Sequence, residues 1–150
     1  MSFPTQVLPD HHRHCDDLFV AAEESVQRGD WAAAAPAYAR FHAQMQAHFT
    51  AEEDLLFPAF EAATGMSAGP TQMMRHEHEQ MRALLAQLEA ACAARDGEGY
   101  AGAAETLLML MQQHNMKEEN ILYPMCDQAL GAEAERIGAN MDAMLEKGHA

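Results

Sequence analysis

Apolar positions recur along the chain at helical spacing, and glycine and proline cut the pattern into helix-length pieces. The first piece runs from about Asp10 to Arg28, with Leu18, Phe19, Ala22 and Val26 as its apolar stripe, and stops at Gly29-Asp30. The second begins near Trp31, or restarts at Pro36, and runs to about Ala63, where Thr64-Gly65 closes it. The third opens after Gly69-Pro70, since proline suits a first helical turn. It carries Met74, Met81, Leu84, Leu85 and Leu88 and ends near Arg95-Asp96-Gly97. The fourth runs from about Tyr100 to Leu130, with a short, weaker helix expected after Gly131. Loops this brief join antiparallel neighbours. The pattern predicts an all-α fold: an antiparallel up-down-up-down four-helix bundle over about 8–130, a C-terminal tail over 131–150, and a single domain in all.

Composition agrees. Alanine, leucine, glutamine, glutamate and methionine dominate and β-branched residues are few, which favours helix. A chain of 150 residues suits one domain with a real core. The formal charge of −14 would repel phosphate backbones and anionic lipid, so neither nucleic acid nor membrane is an expected partner. The opening MSFPTQVLPD lacks a basic and apolar leader, and the three cysteines form no CxxC, which predicts a cytoplasmic protein.

The chain also repeats itself at an offset of 66 residues without a gap. His12 falls on His78, His48 on His114 and Glu52 on Glu118. Glu53 falls on Glu119, Leu56 on Leu122, Phe57 on Tyr123 and Pro58 on Pro124. Each half thus offers one histidine on its first helix and a His-x3-Glu on its second. Residues at i and i+4 share a helix face, so His48 with Glu52, and His114 with Glu118, can each point two ligands inward. Four imidazoles and two carboxylates suit iron or manganese, and two carboxylates can bridge two metals.

A lone His-x3-Glu is more often a surface or capping pair; two copies in register, each with an upstream histidine, reverse that balance. The repeat selects His12 over His11 and His14, and His78 over His76. His11, His14, His42 and His76 are read as outer or solvated histidines. Glu53 and Glu119 turn roughly 100° off the ligand face and are expected to be solvated or outer residues. Met45, Met81 and Met111 are expected to wall the site, Cys15 to be a core cysteine or to face the cavity, and Phe57 and Tyr123 to pack, with electron transfer as the alternative for a tyrosine near iron. His76-Glu77-His78-Glu79-Gln80 fails as a zinc-protease HExxH at its fifth position. The Glu-x-x-His of ferritin-like proteins occurs only at Glu146 to His149, in the tail.

The stretches His48-Phe-Thr-Ala-Glu52-Glu-Asp-Leu-Leu-Phe57-Pro58 and His114-Asn-Met-Lys-Glu118-Glu-Asn-Ile-Leu-Tyr123-Pro124 closely resemble the signature of hemerythrin-like (HHE cation-binding) domains. Asp10-His11-His12 and His76-Glu77-His78 resemble the histidines of that family's first and third helices. The resemblance implies a four-helix bundle around two non-haem iron ions, oxo- or hydroxo-bridged, with His12, His48, Glu52, His78, His114 and Glu118 as metal ligands. The oxygen-carrying branch uses a further histidine where this chain has Arg82, and an aspartate where it has Glu119. The set here looks like bacterial di-iron proteins implicated in iron–sulfur cluster repair and in nitric oxide or oxygen responses. Many of those carry a cysteine-bearing N-terminal domain; with about ten residues before the first predicted helix, the repair activity is not expected to carry over.

Four histidine bonds and four from bridging carboxylates fill about eight of roughly twelve positions on two octahedral metals. A bridging oxygen takes two more and leaves about one opening per metal. The expectation is a redox-reactive or sensing di-iron protein for O₂, NO or peroxide, supplied by an unidentified electron donor. The alternative is a module that binds O₂ or stores iron reversibly, without turnover.

Overall fold

The computed structural model describes residues 2–147. His149, and with it the Glu-x-x-His it closes, lies outside the described residues. Among the described residues every regular element is helical: α1 (Pro4–Gln27), α2 (Trp31–Ala51), α3 (Phe57–Thr64), α4 (Pro70–Ala93), α5 (Gly97–Lys117), α6 (Tyr123–Leu130) and α7 (Ala134–Lys147). A π-helical turn, Glu52–Leu56, joins α2 to α3, and a second, Glu118–Leu122, joins α5 to α6. Four long helical rods result, and they form a bundle in which α1 packs along α2, α2 along α4, α4 along α5, and α5 along α1.

Local chemistry sets the boundaries. The Asp30 side chain accepts the Ala33 amide at the start of α2, and Asp96 accepts that of Gly99 at the start of α5. These caps satisfy amides that the first helical turn leaves free. Pro4 and Pro70 stand in the first turns of α1 and α4, where a missing donor costs nothing. Pro36 lies inside α2 and does not restart it. The first helix begins at Pro4, six residues before the expected Asp10, because Leu8 is buried and anchors an additional turn.

The π turns follow from Pro58 and Pro124. A proline has no N–H and its ring crowds the carbonyl four residues back, so a regular helix cannot continue through it. Instead the Phe57 amide donates to Glu52 and the Tyr123 amide to Glu118, each spanning five residues. Such turns are frequent at functional sites.

The core comes in two apolar clusters. One holds Cys15, Phe19, Phe41, Met45, Phe49, Met81, Leu85, Leu107 and Met111 among others. The other holds Leu8, Leu56, Phe57, Phe60, Met74, Leu122, Tyr123 and Cys126. Along each rod a short polar stretch separates the two: His11 and His12 on α1, His48 and Glu52 at the end of α2, His78 on α4, and His114 and Glu118 at the end of α5. The expected tail is largely the ordered helix α7, whose Ala134, Ile137, Met141 and Leu145 join the second cluster. Gly138 lets the Ser2 carbonyl lie against α7, since a Cβ there would stand 1.5 Å from that oxygen.

Candidate metal centre

The polar stretches converge. His12, His48, Glu52 and Glu118 bring one ligand atom each to within 4.8 Å of one another, and so do Glu52, His78, His114 and Glu118. All six side chains are buried, Glu52 and Glu118 completely. The two groups share both glutamates, so the carboxylates stand between two pairs of histidines. The i, i+4 spacing delivers this: His48 Nε2 lies 3.4 Å from Glu52 Oε2, and His114 Nε2 lies 3.2 Å from Glu118 Oε1.

Each of the four histidines is oriented through its other nitrogen. His12 Nδ1 lies 2.7 Å from Glu119, His78 Nδ1 2.7 Å from Glu53, and His114 Nδ1 2.7 Å from Glu77. His48 Nδ1 instead faces His11 Nδ1 at 2.8 Å, and His11 Nε2 reaches Gln44 Oε1 at 2.9 Å. With Nδ1–H donating outward, Nε2 presents a lone pair to the centre, which is the tautomer a metal ligand needs. The supporting contacts run round the bundle: α1 holds the histidine of α2, the turn after α2 that of α4, α4 that of α5, and the turn after α5 that of α1. Two supports are themselves anchored. Arg82 grips Glu53 with two hydrogen bonds of 2.8 Å, and Lys117 pairs with Glu77.

Of the two places expected for Glu53 and Glu119, solvated or outer, both take the outer one, against His78 and His12. Their rotation off the ligand face carries them toward the adjacent helix, where a ligand histidine waits. Of the other histidines, His11 is buried against His48, His14 is half-buried, His42 stacks on Tyr38, and His76 is exposed.

Burial and charge compete in the site. Burial pushes His12 and His114 down, but the carboxylates beside them prevail and lift the pKa of His12 to about 9 and that of His114 to about 10. Burial, joined by the nearby His48, lowers His11 to about 3. Burial would raise Glu53, yet its hydrogen bonds to His78 and Arg82 bring it to about 2. The hydrogen bond from His114 is the main cause that holds Glu77 at about 2.

The donor set fits a metal. Glu52 Oε1, His78 Nε2, His114 Nε2 and Glu118 Oε2 are fully buried with no hydrogen-bond partner. His78 Nε2 and Glu52 Oε1 stand only 2.9 Å apart, yet their directions do not make a hydrogen bond. Buried polar atoms are otherwise almost always paired, and atoms that share an enclosed space without bonding each other are placed as ligands are. A family model described as Hemerythrin HHE cation binding domain matches residues 4–126. The chain belongs to this hemerythrin family. No curated protein and no solved structure matches it at a significant level. Membership and the shared His/Glu groups together make this hemerythrin-like chain a metal-binding domain.

Beside the centre, on the side of the first apolar cluster, lies a small cavity lined by Cys15, Met45, Phe49, Met81 and Met111 together with His12, His48 and His114. It offers about 10 Å³ to the centre of a water-sized sphere, room for roughly one water. The expected methionine wall is thus found, and burial pushes the Cys15 thiol far up, out of the reactive range. Sequence reasoning missed Glu77 behind His114 and the placement of Tyr123 over the two glutamates. The Tyr123 hydroxyl lies 2.5 Å from Glu52 Oε2 and 2.8 Å from Glu118 Oε1. On a regular helix a residue five on from Glu118 would sit about 140° away; the π turn brings it back over the glutamate. The available signal was Pro124, paired with Pro58 in the repeat.

Proposed function

We propose that the chain is a non-haem di-iron protein that binds a small ligand, O₂, NO or peroxide, and reacts with it or senses it. The observation that carries this is the sharing of Glu52 and Glu118 by the two ligand groups. Two carboxylates common to two histidine pairs are what a pair of bridged metals requires, and mixed nitrogen and oxygen donors suit iron. His12 and His48 would hold one ion, His78 and His114 the other. Bound iron would supply one-electron redox change and an open position for the small ligand.

The chain's own residues supply the rest. Glu119, Glu53, Glu77 and His11 fix the four imidazoles in the ligating tautomer. The methionine-lined cavity shields the centre from bulk water and has room for roughly one water. No described helix is long and apolar enough to cross a membrane.

The reading includes an antiparallel bundle built from two duplicated halves around an approximate twofold axis through the centre. Each element of the first half has a partner of equal length 66 residues on, from α1 with α4 to α3 with α6. The order in which the rods meet the clusters also alternates: α1 and α4 pass from the second to the first, α2 and α5 from the first to the second.

The test is metal analysis of protein loaded anaerobically with ferrous iron. Two irons per chain at saturation are expected, and oxidation in air should add near-ultraviolet charge-transfer absorption from a bridging oxygen. One metal per chain, or zinc alone after iron-replete expression, would sink the di-iron reading.

A further inference from the structure

We propose that Tyr123 is itself a metal ligand, its phenol oxygen coordinating the metal held by His12 and His48. The inference rests on the two-metal reading above and adds a seventh ligand to it. Besides Glu52 and Glu118, Tyr123 Oη stands 3.2 Å from His12 Nε2 and 3.4 Å from His48 Nε2. Those four residues are one complete ligand group. A single oxygen, buried with its whole side chain, is within about 3.4 Å of all four of that group's donors.

One hydroxyl proton cannot serve four acceptors. A phenol donates one hydrogen bond, and in the tautomer a metal ligand needs, with Nδ1–H turned outward, both Nε2 atoms present lone pairs toward Oη. Most of the contacts around Oη therefore set lone pair against lone pair. A cation among them turns this repulsion into coordination, and imidazole, carboxylate and phenolate are all suitable donors for iron. Coordination exchanges the hydroxyl proton for the metal; the proton leaves to solvent and no electron moves.

The other half of the molecule lacks this ligand. At the position 66 residues earlier stands Phe57, which stacks on His78 with ring centroids 5.7 Å apart and offers no donor atom. The two metals are thus inequivalent. By the coordination count, Tyr123 closes the opening at the first metal and leaves one at the metal of His78 and His114, of which His114 lines the cavity.

The experiment uses the full chain, loaded with ferrous iron and oxidised in air, read by metal analysis, visible absorption and resonance Raman. The expected result is a tyrosinate-to-iron band in the visible with enhanced tyrosine ring modes. Tyr123→Phe should remove both and leave the iron-to-protein ratio unchanged. The chain has three tyrosines, and Tyr38 and Tyr100 sit in the other apolar cluster. A Tyr38→Phe/Tyr100→Phe variant should therefore keep the band, which assigns it to Tyr123 even where Tyr123→Phe fails to fold. Two bound irons without a tyrosinate band would overturn the inference and leave the two-metal reading standing, as would a band that survives in Tyr123→Phe. Failure to bind iron at all would overturn both.

Discussion

Glu52 and Glu53 are one residue apart, and the turn of about 100° between them separates two jobs. Glu52 faces the centre and is shared by both ligand groups; Glu53 faces α4 and holds the His78 ring from behind. The same division separates Glu118 from Glu119. On the two-metal reading, removing Glu52 or Glu118 takes a carboxylate from both ions at once, so Glu52→Ala and Glu118→Ala should each abolish measurable metal retention. Glu53→Ala and Glu119→Ala should keep two metals but bind them about 10–100-fold more weakly, the usual cost of losing a hydrogen-bond partner behind a ligand. Anaerobic metal titration of the four variants checks the ranking. Equal losses in all four would mean that Glu53 and Glu119 ligate directly. The six positions that form the two His/Glu groups were legible because the spacing of four and the repeat of 66 are properties of one strand of sequence. Which histidine each outer residue backs was not, since these residues act on a neighbouring helix, and which helix is the neighbour is a matter of packing. His11 illustrates the point: it stands at the repeat position of Glu77, and only the fold shows that both do the same work with different chemistry.

At the scale of elements, periodicity found the rods but not the two places where their period changes. The π turns lengthen the step between Glu118 and Tyr123, so a strict 3.6-residue count sends Tyr123 to the wrong face. Helix ends were also underestimated. Leu8 on α1 and Ile137, Met141 and Leu145 on α7 look isolated in sequence, yet each lies buried in the second cluster. Their partners come from the opposite end of the chain, and no local pattern reports that. If α7 belongs to the core, Met141→Ala should cost about 2–5 kcal/mol in chemical denaturation, the range for emptying a buried Met site. A loss within about 0.5 kcal/mol, the usual effect of a surface change, would return α7 to the role of a loosely held tail. Metal content of the folded variant should stay at the wild-type ratio, because the site residues lie on the rods and not on α7.

The whole molecule is two apolar clusters with a charged layer between them, and this arrangement predicts how the fold and the metal depend on each other. The clusters run through all the rods and are continuous without an ion, so the metal-free chain should remain helical at room temperature. The layer is another matter. Metal-free, it keeps four buried polar atoms without hydrogen bonds, each a penalty of about 1–3 kcal/mol. A bound cation removes those penalties in the folded state only, which is the condition for ligand-linked stabilisation. At a free metal concentration of about 100 times the dissociation constant, one site adds about 2.7 kcal/mol. For a domain of this size that corresponds to a rise in Tm of roughly 5–10 °C. Calorimetry with iron, and again after chelation, should show this shift, while far-ultraviolet circular dichroism at 25 °C stays nearly constant. Glu52→Ala/Glu118→Ala should melt at the same temperature with and without metal. An equal Tm for the loaded and chelated wild-type chain would mean that the buried layer is satisfied without an ion. Loss of helix on chelation would mean instead that the two clusters cannot hold the bundle by themselves.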